Sequence, residues 1–436
     1  MSPHPVDVEP TKTASDTRAR RSLVHHRDFR WLWAGDALGQ LGAQLTLLAL
    51  PVYAVEHLLA TEWQMGVLTA TETAAFLVIG LPAGAWVDRM RKRRVLITAD
   101  LVRAAALAVV VGAASTGHAT MALLVAAAAV VSVASVFFDV AHQSYVPGLV
   151  GLDHVGEGNS KLQATQSVAQ VAAPAIGGAL LRVVSAPALV AVTVVTYVLS
   201  ALGVGRIAAR EDLPPREDRR PLRTEIAEGL RFVLHQPLLR RIVATTSISN
   251  FGSAATAAVL AIYALRVLGL DTATFGVVVS ASAVGGLAGA FAADRLARLV
   301  GESRVIPLSA LLFGVAGLAT PLAGVLPGPA APVLVAGMAI MFVGIVVYNV
   351  TQVSFRQRLC PPALLGRMNA SVRFLVWGSM PLGSLLGGWL GHTTSVLTTL
   401  WVAAGIGLVA TLPVVVSPLL RSRDLPPAPV HATPRG

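Results

Sequence analysis

Read from the first residue, the chain alternates long apolar runs with short polar gaps. Each run holds about 20 residues with few charges, enough for a helix to cross ~30 Å of hydrocarbon. About twelve such runs occur, predicting helices over residues 29–55, 64–87, 95–114, 120–142, 161–184, 187–205, 241–265, 274–293, 305–326, 332–355, 364–390 and 396–419. Inside them Ala, Val, Leu and Gly follow one another continuously, without the alternation over about ten residues that marks a strand of a membrane barrel. The pattern predicts an all-α membrane protein of 12 transmembrane helices and no large soluble domain.

One gap breaks the rhythm. Residues 206–236 carry Glu211, Asp212, Pro214, Pro215, Arg216, Glu217, Asp218, Arg219 and Arg220, and divide the chain into two sets of six runs. Within this gap Leu222, Ile226, Leu230 and Val233 recur at helical spacing, as in a helix lying on the membrane surface or, equally, a solvated linker helix. The expected organisation is a disordered tail over 1–28, a bundle over 29–206, a linker over 207–238, a second bundle over 239–419 and a tail over 420–436. Residues 1–27 show neither the apolar core nor the cleavage site of a signal peptide.

Composition places these helices in lipid. The chain is 54% hydrophobic and 13% charged, with mean hydropathy +0.68, more apolar surface than a soluble fold of 436 residues can cover. The net charge of +11 does not point to nucleic acid, because the cations occupy the gaps and form no amphipathic face. They alternate by side: Arg18 to Arg27, Arg89 to Arg94, Arg206 to Arg241, Arg295 to Arg304 and Arg356 to Arg367 share one side, and only Arg182 and Arg266 approach the other. The positive-inside rule then puts both termini and the linker in the cytoplasm of an inner-membrane protein. Cys360 is the only cysteine, which excludes an internal disulfide and a cysteine-based metal site and reads as a buried structural thiol.

The two sets of runs are also alike. Leu81 to Arg89 (LPAGAWVDR) matches Leu287 to Arg295 (LAGAFAADR), and Phe138 to Tyr145 (FDVAHQSY) matches Tyr348 to Phe355 (YNVTQVSF), in register with Asn159 and Asn369. Such matches mark a parallel repeat. Between the second and third runs stands Gly84-Ala-Trp-Val-Asp88-Arg89-Met-Arg91-Lys92-Arg93-Arg94. There Gly84 would permit close helix approach, and Asp88 could accept backbone N–H groups at a neighbouring helix start. This segment resembles the loop motif G-x-x-x-D-R/K-x-G-R/K-R/K of the major facilitator superfamily, with Arg91 where the family has its second glycine. Arg27 to Trp33, Arg94 to Ala104, Leu365 to Asn369 and Pro381 to Gly388 look like landmarks of its enterobactin and macrolide exporter branch. The resemblance implies two pseudo-symmetric six-helix bundles and a conformational latch made by Gly84, Asp88, Arg89 and Arg93 with Asp139 on the fourth helix. Pro174, Gly177 and Gly178 resemble the end of the family's antiporter motif, where a kink and small residues allow tight packing.

Charges inside the runs cost roughly 2.5–3.5 kcal/mol each at mid-helix and persist where they have a partner or a cavity. Asp100 and Arg103, three residues apart, read as a mutually neutralising pair, and Arg373 as an anchor near the inner end of the eleventh run. Glu72 and Asp36 are the candidates for proton coupling. Gln40 and Gln44 extend Asp36 into a polar stripe, Gln163, Gln166 and Gln170 form a second, and Asn250, Asn349 and Gln352 place polar groups in the seventh and tenth runs. Gln40, Gln44, Gln166, Gln170, Asn250, Asn349 and Gln352 are thus candidates for a substrate cavity. A phosphate-binding loop, an H-E-x-x-H pair and a G-x-S-x-G elbow are all missing from the sequence, so ATP-driven transport and hydrolysis have no residue support. Neither a cofactor nor a metal is expected. The reading is a secondary transporter, a monomer, that uses the proton gradient to export a small amphiphilic molecule. Gradient-driven uptake is the alternative, followed by a non-transporting receptor or assembly factor and by a membrane enzyme.

Overall fold

A backbone surrounded by hydrocarbon can satisfy its N–H and C=O groups only within the segment, so each apolar run folds as a helix. The computed structural model describes residues 23–87, 89–151, 154–209, 211, 222–361 and 364–422. Twelve long helices follow in order: α1 (Arg27–Glu56), α2 (Glu62–Val87), α3 (Lys92–Ser115), α4 (Met121–Val150), α5 (Val155–Leu180), α6 (Ala186–Gly205), α7 (Pro237–Ile262), α8 (Thr272–Val300), α9 (Glu302–Ala316), α10 (Ala330–Leu359), α11 (Leu365–Thr393) and α12 (Val396–Val409). Helix α7 continues through a π-helical turn at Tyr263–Val267, and α9 and α12 gain short extensions at Ala319–Leu322 and Leu412–Val415. Ten of these are long and apolar enough to cross a membrane. The other two, α5 and α11, have 26 and 29 residues but carry polar side chains such as Gln163, Gln166 and Arg373.

Most helices exceed their apolar runs. Helix α4 continues to Val150 instead of stopping at 142, through polar residues whose side chains bond to the helix itself, as Ser144 Oγ donates to the Val140 carbonyl at 3.0 Å. Hydropathy marks the width of hydrocarbon, whereas helical hydrogen bonds run on into the headgroup layer.

The first six helices pack as one bundle and the last six as another, with the same pairings. Helix α1 packs on α5 and α6 as α7 packs on α11 and α12, and α4 packs on α2 and α3 as α10 packs on α8 and α9. The bundles meet along two equivalent seams, α2 on α11 and α5 on α8. We call the end carrying the linker the linker end and the opposite one the far end.

The linker helix, Leu222–His235, packs against α11 of the second bundle. Val233 is fully buried in a cluster with Leu239, Val243, Met368 and Val372, and Phe232 packs on it. Gly229 presses on α11 so closely that a Cβ there would stand 2.5 Å from the Arg367 carbonyl, and Glu228 pairs with Arg367 at 2.5 Å. Val233 at the end of the apolar stripe is covered by α7 and α11, partners that periodicity alone cannot name.

Candidate functional site

The seams between the bundles differ along their length. At the far end they close on glycine. A Cβ on Gly178 of α5 would sit 2.8 Å from Gly276 Cα of α8, and one on Gly388 of α11 would sit 2.7 Å from Gly66 Cα of α2. The Pro174 carbonyl approaches the same point on α8, while Gly177 faces Leu45 and Leu48 of α1. Arg266 completes the closure by donating to the carbonyls of Val55 at 2.6 Å and Ala60 at 2.8 Å, and Thr272 Oγ1 donates to Glu56 at 2.7 Å. Pro174, Gly177 and Gly178 are legible in the sequence; Gly276, the partner of Gly178, and Gly66, the partner of Gly388, are isolated glycines with no local signal.

Toward the linker end the seam carries charge. Asp139 of α4 and Arg373 of α11 approach to 3.8 Å, the one ion pair joining the bundles among the described residues. Phe76 and Trp377 meet across the same seam with ring centroids 4.9 Å apart, and the Arg373 guanidinium lies 5.7 Å from the Phe76 ring. The aromatic faces hold a cation that a single long ion pair would leave loosely placed.

Behind Asp139, inside the first bundle, lies a buried polar cluster. Asp100 is fully buried and pairs with Arg103, whose guanidinium is held between the rings of Phe138 at 4.2 Å and Tyr197 at 4.5 Å. Asp36 is buried, and its Oδ1 lies 3.6 Å from His142 Nε2. His142 follows Asp139 by three residues on α4, so the two share a helix face. Asp100 Oδ2, Arg103 Nε, His142 Nε2 and Ser200 Oγ are buried without a hydrogen-bond partner, a concentration of unmet polar capacity that a core built only for stability avoids. His142 is the residue that sequence reasoning missed. It falls outside the polar stripes of α1 and α5 and gains significance only when α1 and α4 pack together.

Glu72 lies apart from this cluster. It is half-buried, shares the α4-facing side of α2 with Ala75, Ile79 and Ala83, and forms none of the ion pairs among the described residues. Its backbone carbonyl accepts from Ser132 Oγ of α4 at 2.7 Å.

The loop motif is rearranged relative to expectation. Gly84 does not mediate close helix packing, since a Cβ there would meet nothing within 4 Å. Arg93 donates from Nε to the Val204 carbonyl at 3.1 Å and from its guanidinium to that of Gly205, capping the end of α6. Glu211 accepts the backbone N–H groups of Lys92 and Arg93 at 2.8 and 3.1 Å and so caps α3. Arg89 is exposed, and Asp88 lies outside the described residues.

The second bundle holds a cavity of about 410 Å³ lined by Thr246, Asn250, Phe313, Met338, Met341, Phe342, Tyr348, Asn349 and Met380. That size suits a drug-sized molecule, and three methionines supply adaptable apolar walls. Asn250 Nδ2 is engaged with the Val376 carbonyl at 3.1 Å, whereas Asn349 is exposed and its Oδ1 accepts from Gln352 Nε2 at 3.4 Å. Gln352 is buried outside the lining, and Gln40, Gln44, Gln166 and Gln170 do not line this cavity. Of the seven amide candidates, the structure gathers Asn250 and Asn349 on one cavity.

Known proteins match this architecture along most of its length. The chain is 27% identical to the multidrug efflux pump Tap of Mycolicibacterium fortuitum, covering 89% of this chain and 95% of that one. It is 24% identical to macrolide efflux protein A of Streptococcus pyogenes, over 82% and 88%. Among solved structures, a bacterial homologue of the iron transporter ferroportin in its inward-facing state superposes with a TM-score of 0.71 at 17% identity, covering 91% of this chain and 99% of that one. A D-xylose–proton symporter superposes with a TM-score of 0.67 at 16% identity, over 90% and 97%. A model of the Major Facilitator Superfamily, a family of transporters and not of enzymes, matches residues 32–381 and 247–435, and with its two six-helix bundles the chain belongs to that superfamily.

Proposed function

We propose that this multi-pass membrane transporter exports a small amphiphilic compound by alternating access, in exchange for protons. The direction of transport rests on similarity to two efflux proteins along more than four-fifths of the chain. The coupling rests on one observation: His142, paired with Asp36 of α1, lies on the same face of α4 as Asp139 and one turn away, and Asp139 reaches the other bundle through Arg373. A proton taken up by this cluster changes the charge beside Asp139 and therefore the strength of the contact between the bundles. That supplies the differential interaction free energy between two states that a driving ion needs. Glu72 has no such route, which makes Asp36 the stronger coupling candidate of the two. The substrate would occupy the methionine-lined cavity with Asn250 and Asn349.

We further propose that the linker end faces the cytoplasm of the inner membrane, because the arginine-rich segments gather there. The protein is then closed to the outside by its glycine seams. The tests are uptake of the fluorescent amphiphilic cation ethidium into inverted membrane vesicles carrying the protein and, separately, the location of a reporter fused after Arg304. Accumulation should require a pH gradient, acidic inside, and the reporter should lie on the cytoplasmic face. Accumulation that ignores the gradient sinks the coupling, and a reporter on the other face sinks the orientation.

A further inference from the structure

The segment from Asp88 to Arg94 holds five cations against one acid, more than orientation in the membrane requires. The structure divides these cations by task. Arg93 caps α6, while Arg89, Arg91 and Arg94 are exposed, and their guanidinium groups have no partner among the described residues. All three stand at the rim of a groove of about 980 Å³ between α3 and α4, on the outer flank of the first bundle and away from both seams. Below the rim the groove is apolar, hollowed by Ala99 and Ala129 and walled by the exposed Val102 and Val133. Trp86, stacked on Phe137 of the groove at 6.1 Å, sits beside the same rim, where an indole marks the headgroup level.

We infer that this groove binds one anionic diacyl phospholipid, its phosphate held by Arg89, Arg91 and Arg94 and an acyl chain laid between α3 and α4. Guanidinium groups are suited to phosphate oxygens, which they can bind in pairs. Two features select the occupant. A soluble anion would satisfy the rim but leave the apolar walls bare, and a zwitterionic lipid would fill the walls but bring no net charge to three cations. Basic pockets between membrane helices next to the headgroups select acidic lipids for these reasons. The inference does not depend on what the protein transports.

Native mass spectrometry of the full-length protein, delipidated in detergent and titrated with phosphatidylglycerol or phosphatidylcholine, tests it. One phosphatidylglycerol should bind about tenfold more tightly than phosphatidylcholine. Ala129→Phe fills the groove and keeps every cation, so it should erase the preference without disturbing topology. The Arg89→Gln, Arg91→Gln, Arg94→Gln variant should erase it too, and replacing the three with Lys should restore part of it. Equal binding of the two lipids by the parent protein overturns the proposal, as does a preference that survives Ala129→Phe or displacement of the lipid by millimolar inorganic phosphate. Should the glutamine variant fail to insert, the Ala129→Phe result alone decides between the two outcomes.

Discussion

The bundles touch in two chemically different ways. At the far end, Gly178 meets Gly276 and Gly388 meets Gly66 with no side chain between the helices. Toward the linker end, Asp139 meets Arg373 at 3.8 Å, with Arg373 beside the packed rings of Phe76 and Trp377. The glycine contacts themselves have nothing to titrate; their strength depends on fit, through dispersion forces that fall away within about an ångström of separation. The second depends on charge, so protons and cationic ligands can weaken it. In our account the far end is a seal and the charged contact is the switch that decides whether the seal stays closed.

The seal should be the easier of the two to break. Gly178→Leu or Gly388→Leu puts a side chain where even a Cβ would lie under 3 Å from the opposite backbone, which cannot yield as a flexible side chain could. We expect ethidium transport to be lost in both. A cysteine introduced at the far end should become reactive to externally added maleimide, against a background of the single buried Cys360. Normal transport in either variant would contradict the seal.

A smaller effect is expected at the switch. Arg373→Gln removes the cation but keeps the packing on Phe76, and both partners of the pair are partly exposed, with side-chain accessibilities of 33% and 39%. The loss should therefore be on the order of 1 kcal/mol in the closed state, about a fivefold to tenfold fall in gradient-driven transport. Maleimide access at the far end should change by a similar factor.

The smallest effect concerns the frame of the seal. Asp271 caps α8 one turn before Gly276, accepting from the Thr274 hydroxyl at 2.6 Å and from the backbone N–H groups of Ala273 and Thr274 at 3.0 and 2.9 Å. The Thr274 side chain, followed by these backbone donors, holds the Asp271 carboxyl below its usual range. A lowered folded pKa means that the cap contributes fully above the ordinary carboxylate pKa and is lost as pH falls through the lower folded value. Asp271→Ala should cost about 1 kcal/mol in thermal unfolding at neutral pH. The difference from the parent protein should vanish in strong acid.

Sequence reading reaches different depths in these regions. The twelve helices and the repeat are legible because lipid imposes one rule on every residue it touches. The glycine pairs are half visible, since Gly178 belongs to a motif whereas Gly66 and Gly276 acquire meaning from the opposite helix. The switch is the least legible part. Arg373 reads as an anchor because nothing in the chain order says that α11 lies beside α4, and His142 does not stand out because its partner Asp36 is over a hundred residues away. Local spacing finds i,i+3 pairs such as Asp100 and Arg103, but contacts between helices need the packing.

The central claim is that Asp36 with His142 couples proton movement to the contact between the bundles. It is tested most directly by comparing Asp36→Asn, Glu72→Gln and the parent protein in proteoliposomes, measuring ethidium accumulation driven by a pH gradient alongside ethidium exchange at equal pH. The account predicts that Asp36→Asn keeps exchange and loses accumulation, while Glu72→Gln keeps most of both. Full accumulation by Asp36→Asn, or its loss in Glu72→Gln alone, would contradict it and move the proton to α2.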